Sequence, residues 1–133
     1  MSLETTFSTN PVKTIIASET GLTSGGGAAA AGVGINNITG GAAYIHSVEV
    51  SNSSFGTDVY VKLYNAASAV AGTTDADIIL LCKANVNRVY NFFPGVLFSN
   101  GVTAVCTTTA GQAGTTAPGT PPPVKFVFSE SAS

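Results

Sequence analysis

Apolar side chains alternate with polar or aromatic ones over residues 58–64, which is the pattern of a β-strand with one buried face. The apolar face carries Val59, Val61 and Leu63, and the opposite face carries Lys62 between two tyrosines. Because a lysine stands at the centre of that opposite face, we expect the face to lie at the solvent or at the rim of an interface.

Residues 44–51 show the same two-residue period. Uninterrupted alternation predicts one face with Tyr44, His46, Val48 and Val50, and a second face with Ile45, Ser47, Glu49 and Ser51. His46 is the single histidine of the chain. We expect it to be a partly buried structural residue, because a catalytic role would require a partner that the fold places beside it.

Six further stretches have the composition of β-strands: 12–19, 78–83, 86–93, 95–98, 102–109 and 124–129. The continuous apolar run of 78–83 is typical of a strand covered on both faces. Turn signals separate the strands, among them Pro94-Gly95 and Asn100-Gly101, and Asn-Gly favours a tight hairpin. The chain is therefore predicted to be all-β, an antiparallel β-sandwich (jelly-roll or Ig-like) of about seven or eight short strands, with a partly closed barrel as the other architecture.

A length of 133 residues corresponds to one domain, predicted to span 1–133. Three segments interrupt its strand pattern: an N-terminal arm at 1–12, a Gly/Ala-rich segment at 21–43 and a Pro/Gly-rich linker at 110–123. The Gly/Ala-rich segment is either a flexible linker or an extended arm that lies on a neighbouring subunit. The terminal strand, 124–129, either returns to its own sheet, which is the default expectation, or joins the sheet of a neighbour.

Charged residues are scarce. Only twelve residues carry a formal charge, 9% of the chain, whereas about 25% is ordinary. A chain with so few charges and a mean hydropathy of +0.35 is expected to hide much of its surface in an assembly. The uncharged stretches 20–48 and 89–124 are the segments that we expect to lie against other subunits.

The same composition argues against several partners. The five Lys and Arg residues are scattered, so we expect no nucleic-acid contact. No apolar run is long enough to cross a bilayer, and the first residues lack the pattern of a secretory signal. We therefore expect no membrane contact, and synthesis and assembly in a cytoplasm.

Little in the sequence points to catalysis. Cys82 and Cys106 are expected to be small buried side chains, with a disulfide as the less favoured alternative in a reducing compartment. Asp75 and Asp77 lack the further positions of a calcium loop, so a solvated turn is expected there. No cysteine or histidine pair has metal-ligand spacing. We predict a protein that is not an enzyme and that holds no metal or other cofactor.

Aromatic residues supply the candidate interface. Tyr60 and Tyr64 share the non-apolar face of their strand, and large amphipathic side chains are favoured in protein–protein contacts. Phe126 and Phe128 join them as candidate interface residues, because the terminal strand can be lent to a neighbour. Three further phenylalanines, at 92, 93 and 98, are expected in the core.

One run of motifs carries a family resemblance. Val-Tyr-Val-Lys-Leu-Tyr-Asn occupies 59–65, Thr-Thr-Asp occupies 73–75, and Phe-Pro-Gly-Val-Leu-Phe-Ser-Asn-Gly occupies 93–101, before a Thr-rich strand. In this order, residues 44–110 resemble small β-sandwich virion proteins of tailed bacteriophages. The resemblance implies a head decoration (cement) protein or a tail-associated structural protein, and it implies no catalytic residue.

We therefore expect a non-enzymatic virion structural protein, above all a capsid decoration protein that stabilises the phage head by binding the major capsid protein or another virion protein. It is expected to form a homo-oligomer, in particular a homotrimer, and to reside in the virion after assembly in the host cytoplasm. The alternative is a tail, baseplate or fibre module, structural or receptor-binding. A small enzyme is disfavoured, because one histidine and scattered acids leave few catalytic arrangements.

Overall fold

A computed structural model of the chain describes residues 12–16, 33–35, 37–53, 56–69, 71–116, 118 and 122–130. Nearly all of the predicted arm at 1–12, much of the segment 21–43 and part of the linker 110–123 lie outside these ranges. The described residues form strands and no helix, so the all-β prediction is confirmed. The eight strands are β1 (Val12–Ile16), β2 (Val33–Ile35), β3 (Ala43–Asn52), β4 (Val59–Asn65), β5 (Ile78–Cys82), β6 (Val86–Phe98), β7 (Val102–Thr107) and β8 (Val124–Glu130).

The strands form two four-stranded antiparallel sheets that enclose one core, which makes the protein a β-sandwich. The first sheet has the order β1-β8-β3-β6 and the second has the order β2-β7-β4-β5. Four pairings are symmetric about the middle of the chain: β1 with β8, β2 with β7, β3 with β6 and β4 with β5. A long two-stranded ribbon gives these pairings when it is rolled up, so the sandwich is a jelly roll rather than Ig-like.

The core lies between the two sheets and takes alternate residues from β4, β5, β7 and β8. The apolar face of β4 is buried as its sequence pattern predicts, with Val59, Val61 and Leu63 all fully buried. The terminal strand β8 pairs with β1 and β3 of its own chain, which is the default expectation. Its Phe126 and Phe128 are buried in the core, so their assignment to an interface is wrong.

Strand β3 departs from simple alternation at His46. Ile45 and Val48 are both fully buried although they are three positions apart. The register shifts between Ile45 and Ser47 against both β6 and β8, and in the pairing with β8 His46 is the extra residue of a β-bulge. The predicted faces are therefore wrong on the N-terminal side of the bulge, where Ile45 faces the core and Tyr44 is 37% exposed.

The predicted turn at Pro94-Gly95 is also wrong, because β6 continues through both residues. This stretch lies opposite the bulge of β3: Ile45 pairs with Val96 and Ser47 pairs with Asn91. Four residues of β6 therefore stand against one residue of β3, which accommodates the proline without ending the strand.

Asn100-Gly101 does form a tight turn, as predicted. The amide of Gly101 donates a hydrogen bond to the carbonyl of Phe98 (3.3 Å), and Gly101 has a φ of 93°, which favours glycine. The turn does not close a hairpin, however, because β6 belongs to the first sheet and β7 to the second. It carries the chain across the sandwich.

Strand β5 is less covered than its apolar sequence predicts. Leu80 and Cys82 face the core, but Leu81 between them is 37% exposed. The reason is position, since β5 is the outermost strand of its sheet and pairs only with β4. The expectation of a strand covered on both faces is therefore wrong.

The two cysteines are buried and free, as the favoured interpretation predicts. Cys82 lies on β5 and Cys106 on β7, with β4 between them. Strands two places apart are separated by roughly 9.5 Å. A disulfide requires Cα atoms within about 7 Å, so the fold keeps these thiols from forming one.

We expect both thiols to resist a soluble thiol reagent in the native protein and to react together once it unfolds, because both side chains are fully buried. A colourimetric thiol assay with and without denaturant measures this directly. Rapid titration of either thiol under native conditions would contradict the placement of Cys82 and Cys106 in the core.

Candidate functional site

The outer face of β4 is covered, contrary to the expectation of a solvent-facing or rim strand. Lys62 is fully buried and Tyr64 is 1% exposed, so placing Tyr64 at an interface is wrong; Tyr60 alone is partly exposed and stays a candidate. Two loops fold over this face, residues 66–69 and 71–77 between β4 and β5 and residues 108–116 after β7. We call these two loops the outer clasp.

Lys62 is the centre of the outer clasp. Its Nζ donates hydrogen bonds to the carbonyl oxygens of Gly114 (2.6 Å) and Gln112 (3.3 Å). Both partners are main-chain carbonyls rather than carboxylates, and burial lowers the pKa of the ammonium below 10.5. Hydrogen bonds from a buried cation are strong, so Lys62 fastens the second loop onto the sheet.

Gln112 joins the two loops of the clasp to each other. Its Oε1 accepts a hydrogen bond from the amide of Ala76 (2.6 Å), and its Nε2 donates one to the Ala76 carbonyl (2.9 Å). Gly114 fits under the loop because it has no side chain, since an added Cβ would collide with the carbonyl oxygen of Thr109. These contacts are specific and internal, which makes the clasp a structural element.

The clasp also encloses a small apolar cluster. Tyr64 packs there with Val105 and with three alanines of the first loop, Ala69, Ala71 and Ala76. The Tyr64 hydroxyl is buried without a hydrogen-bond partner, and burial raises its pKa above 10. The first loop contains several alanines because their small side chains let the loop lie flat on the sheet.

His46 lies where the bulge of β3 places it. Its Nε2 is 3.0 Å from the Ser129 Oγ on the adjacent β8, and the ring is partly buried, as expected of a structural histidine. Across the described ranges, no group of three or more His, Cys, Asp or Glu residues is arranged to hold a metal ion. The Asp77 carboxylate of the predicted solvated turn accepts a hydrogen bond from the Asn65 amide (2.6 Å) and so fixes the end of the first loop.

The exposed large hydrophobic side chains of the described residues all lie on the edge strand β6 or on the strands next to it, β3 and β5. Four belong to β6, one to its neighbour β3 and one to β5: Val86, Val89, Val96, Leu97, Tyr44 and Leu81. Strands β5 and β6 approach each other at the sandwich edge, and Leu97 is the direct cross-strand partner of Tyr44. We call these six residues the edge surface.

The edge surface is nearly free of charge. Within β6 the single charged residue is Arg88, and the strand is 13 residues long. The uncharged stretches 20–48 and 89–124 include four of the six residues, but the sequence does not separate exposed from buried ones, because an exposed valine on an edge strand has the same sequence pattern as a buried one. The strand order, which sequence does not give, is what identifies β6 as an edge.

Comparison of the chain with protein-family models, with curated proteins and with solved structures finds no match in any of the three. Among the described residues there is no helix long and apolar enough to cross a membrane. The geometry of the site therefore carries the functional argument by itself.

Proposed function

We propose that this chain is a non-enzymatic virion structural protein that decorates a phage head by binding the major capsid protein. The edge surface is the observation that supports the proposal most. It consists of exposed large hydrophobic side chains that lie along one edge of the sandwich, on β6 and the strands next to it, in a chain that has twelve charges in all. Such a patch is characteristic of a protein that buries part of its surface against another.

The jelly roll is compatible with this role. Jelly rolls occur in viral capsid proteins and also in lectins, so the architecture supports a virion role by analogy only. A decoration protein stabilises a head by binding the assembled lattice more tightly than the free subunits. Many copies, each with a modest contact, then add up to a large effect, and this role requires no catalytic group.

The test is binding to heads that were assembled without this protein. We expect the purified chain to sediment with expanded heads and to raise the temperature at which they release their DNA. Leu97→Lys, which puts a charge beside Tyr44 on the outer face of the sheet, should weaken this binding. Ser68→Lys is the matched control, because Ser68 is exposed in the outer clasp, away from the edge surface.

Failure to bind heads, together with co-purification with tails, would contradict the decoration role. It would favour the alternative, a tail, baseplate or fibre module. A panel of polysaccharides offered to the same protein distinguishes a receptor-binding module from a purely structural one.

A further inference from the structure

The free edge of β6 is the most available pairing surface of the described residues. β6 is the last strand of the first sheet, and its only sheet partner there is β3. From Val86 to Asn91 its register with β3 is unbroken, so this half of the strand is regular. A regular edge strand presents a row of main-chain N–H and C=O groups to any strand that comes alongside.

This half of β6 has one of the features that usually protect an edge, the charge of Arg88, and lacks the others. Residues 86–91 contain no proline, no lysine and no register shift, and their apolar members Val86 and Val89 are 42% and 51% exposed. Natural sheets protect such edges with bulges, prolines or charges because unprotected edges associate. In β6, Pro94 and the irregularity both lie in the other half of the strand.

The segment is complementary to itself when it runs antiparallel to a second copy. An axis through Val89 places the two Val89 residues opposite each other and sets Asn87 against Asn91, all on the outer face. On the inner face it sets Arg88 of each copy against Tyr90 of the other. A guanidinium beside an aromatic ring is attractive, and the only charges of the segment do not oppose each other.

An alignment with the axis at Arg88 is less favourable, since it sets the two guanidinium groups directly opposite each other. We propose that β6 pairs antiparallel with β6 of a second copy, across a two-fold axis at Val89. The first sheets of the two molecules then form one continuous eight-stranded sheet. A two-fold contact closes with two copies, so it yields a dimer, whereas the expected homotrimer would require a different contact.

The first test is the mass of the protein in solution by light scattering at micromolar concentration. We expect twice the subunit mass of 13.3 kDa for the natural chain. Val89→Lys should raise the dimer dissociation constant about tenfold or more, because it sets two like charges opposite each other at the axis. Ser68→Lys adds the same charge in the exposed outer clasp and should leave the dimer intact.

The second test is a cross-link at the axis. Directly opposed residues in antiparallel strands have Cα atoms about 4.5–5.5 Å apart, which suits a disulfide. Mild oxidation with oxidised glutathione should link Val89→Cys into a covalent dimer and leave Ser68→Cys monomeric on a denaturing gel. The natural cysteines do not interfere because both are buried.

A mass in solution equal to one or three subunits for the natural protein would overturn the proposal. So would a Val89→Lys variant that stays dimeric, or a Val89→Cys variant that cross-links no better than Ser68→Cys. The pairing goes beyond the head-decoration role and does not depend on it, because it is measured with the purified chain alone. A dimer that binds no head would overturn only the decoration role.

Discussion

Replacing Lys62 with alanine will lower the free energy of unfolding by about 3–5 kcal/mol. The change removes two hydrogen bonds from a buried ammonium, each worth about 1.5–3 kcal/mol. It also leaves the carbonyls of Gln112 and Gly114 without their donor and opens a void under the clasp. Urea denaturation followed by circular dichroism measures the loss.

Lys125→Ala is the matched control for this substitution. Lys125 forms an ion pair with Glu49 (3.2 Å), but its side chain is 43% exposed. Exposed pairs contribute about 1 kcal/mol or less, so this variant should stay close to the natural stability. If the two variants lose the same small amount, Lys62 is at the surface, as simple alternation predicts, and the clasp does not form.

Alkaline pH will destabilise the protein strongly, and Cys106 will account for much of the loss. Burial raises the pKa of the Cys106 thiol from about 9 to about 12. Because the folded state holds this proton more tightly than the unfolded state, the stabilisation is complete below pH 9 and disappears as the pH rises towards 12. The loss amounts to about 4 kcal/mol in full and about 3 kcal/mol by pH 11.

The other buried groups modify this profile in known directions. Burial also raises the pKa values of Cys82, Tyr64 and Tyr90, so each of these groups adds to the alkaline loss. Lys62 acts in the opposite sense, because its lowered pKa makes stability rise as the pH approaches 10.5. Four groups therefore lower the stability at alkaline pH and Lys62 alone raises it, so the net effect is a loss of stability.

Cys106→Val isolates the thiol while keeping an apolar side chain of similar size. We expect its unfolding free energy to fall by about 3 kcal/mol less than that of the natural chain between pH 8 and pH 11. Equilibrium unfolding at a series of pH values provides the comparison. If the unfolding free energy depends on pH in the same way in the two proteins, Cys106 ionises as readily in the folded state as in the unfolded one.

Strand β4 shows what the sequence could and could not predict. Its period of two correctly gave a strand and a buried face at Val59, Val61 and Leu63. The same pattern suggested that Lys62 faces the solvent. A two-residue period describes a single strand, so it carries no information about a loop that lies 50 residues further along the chain and covers that strand. Only the tertiary contact with residues 112 and 114 buries the lysine.

Strands β3 and β6 show a second limit. Most of their residues were correctly predicted as strand, but the bulge at His46 exchanges the two faces of β3 without a glycine or proline in β3 to mark it. The signal lies across the sheet, in the Pro94-Gly95 pair of β6, which sequence reasoning assigned to a turn. Faces depend on register, and register depends on both strands at once.

The edge surface could be predicted only in part, for a related reason. Val86 and Val89 have the composition of an ordinary strand, and only the strand order places them at an edge. The deficit of charge predicts an assembling protein from the sequence alone, and this stays a prediction. The strand order adds where assembly is proposed to occur, along β6 and its neighbours.

The most direct test of a virion role for this chain is an electron cryo-microscopy reconstruction of the particle that contains it. Our proposal predicts density for a jelly-roll sandwich on the outer surface of the head, bound to the major capsid protein, with the edge surface buried in a protein contact. Density for the sandwich on the tail, or a head that lacks it altogether, would contradict the proposal.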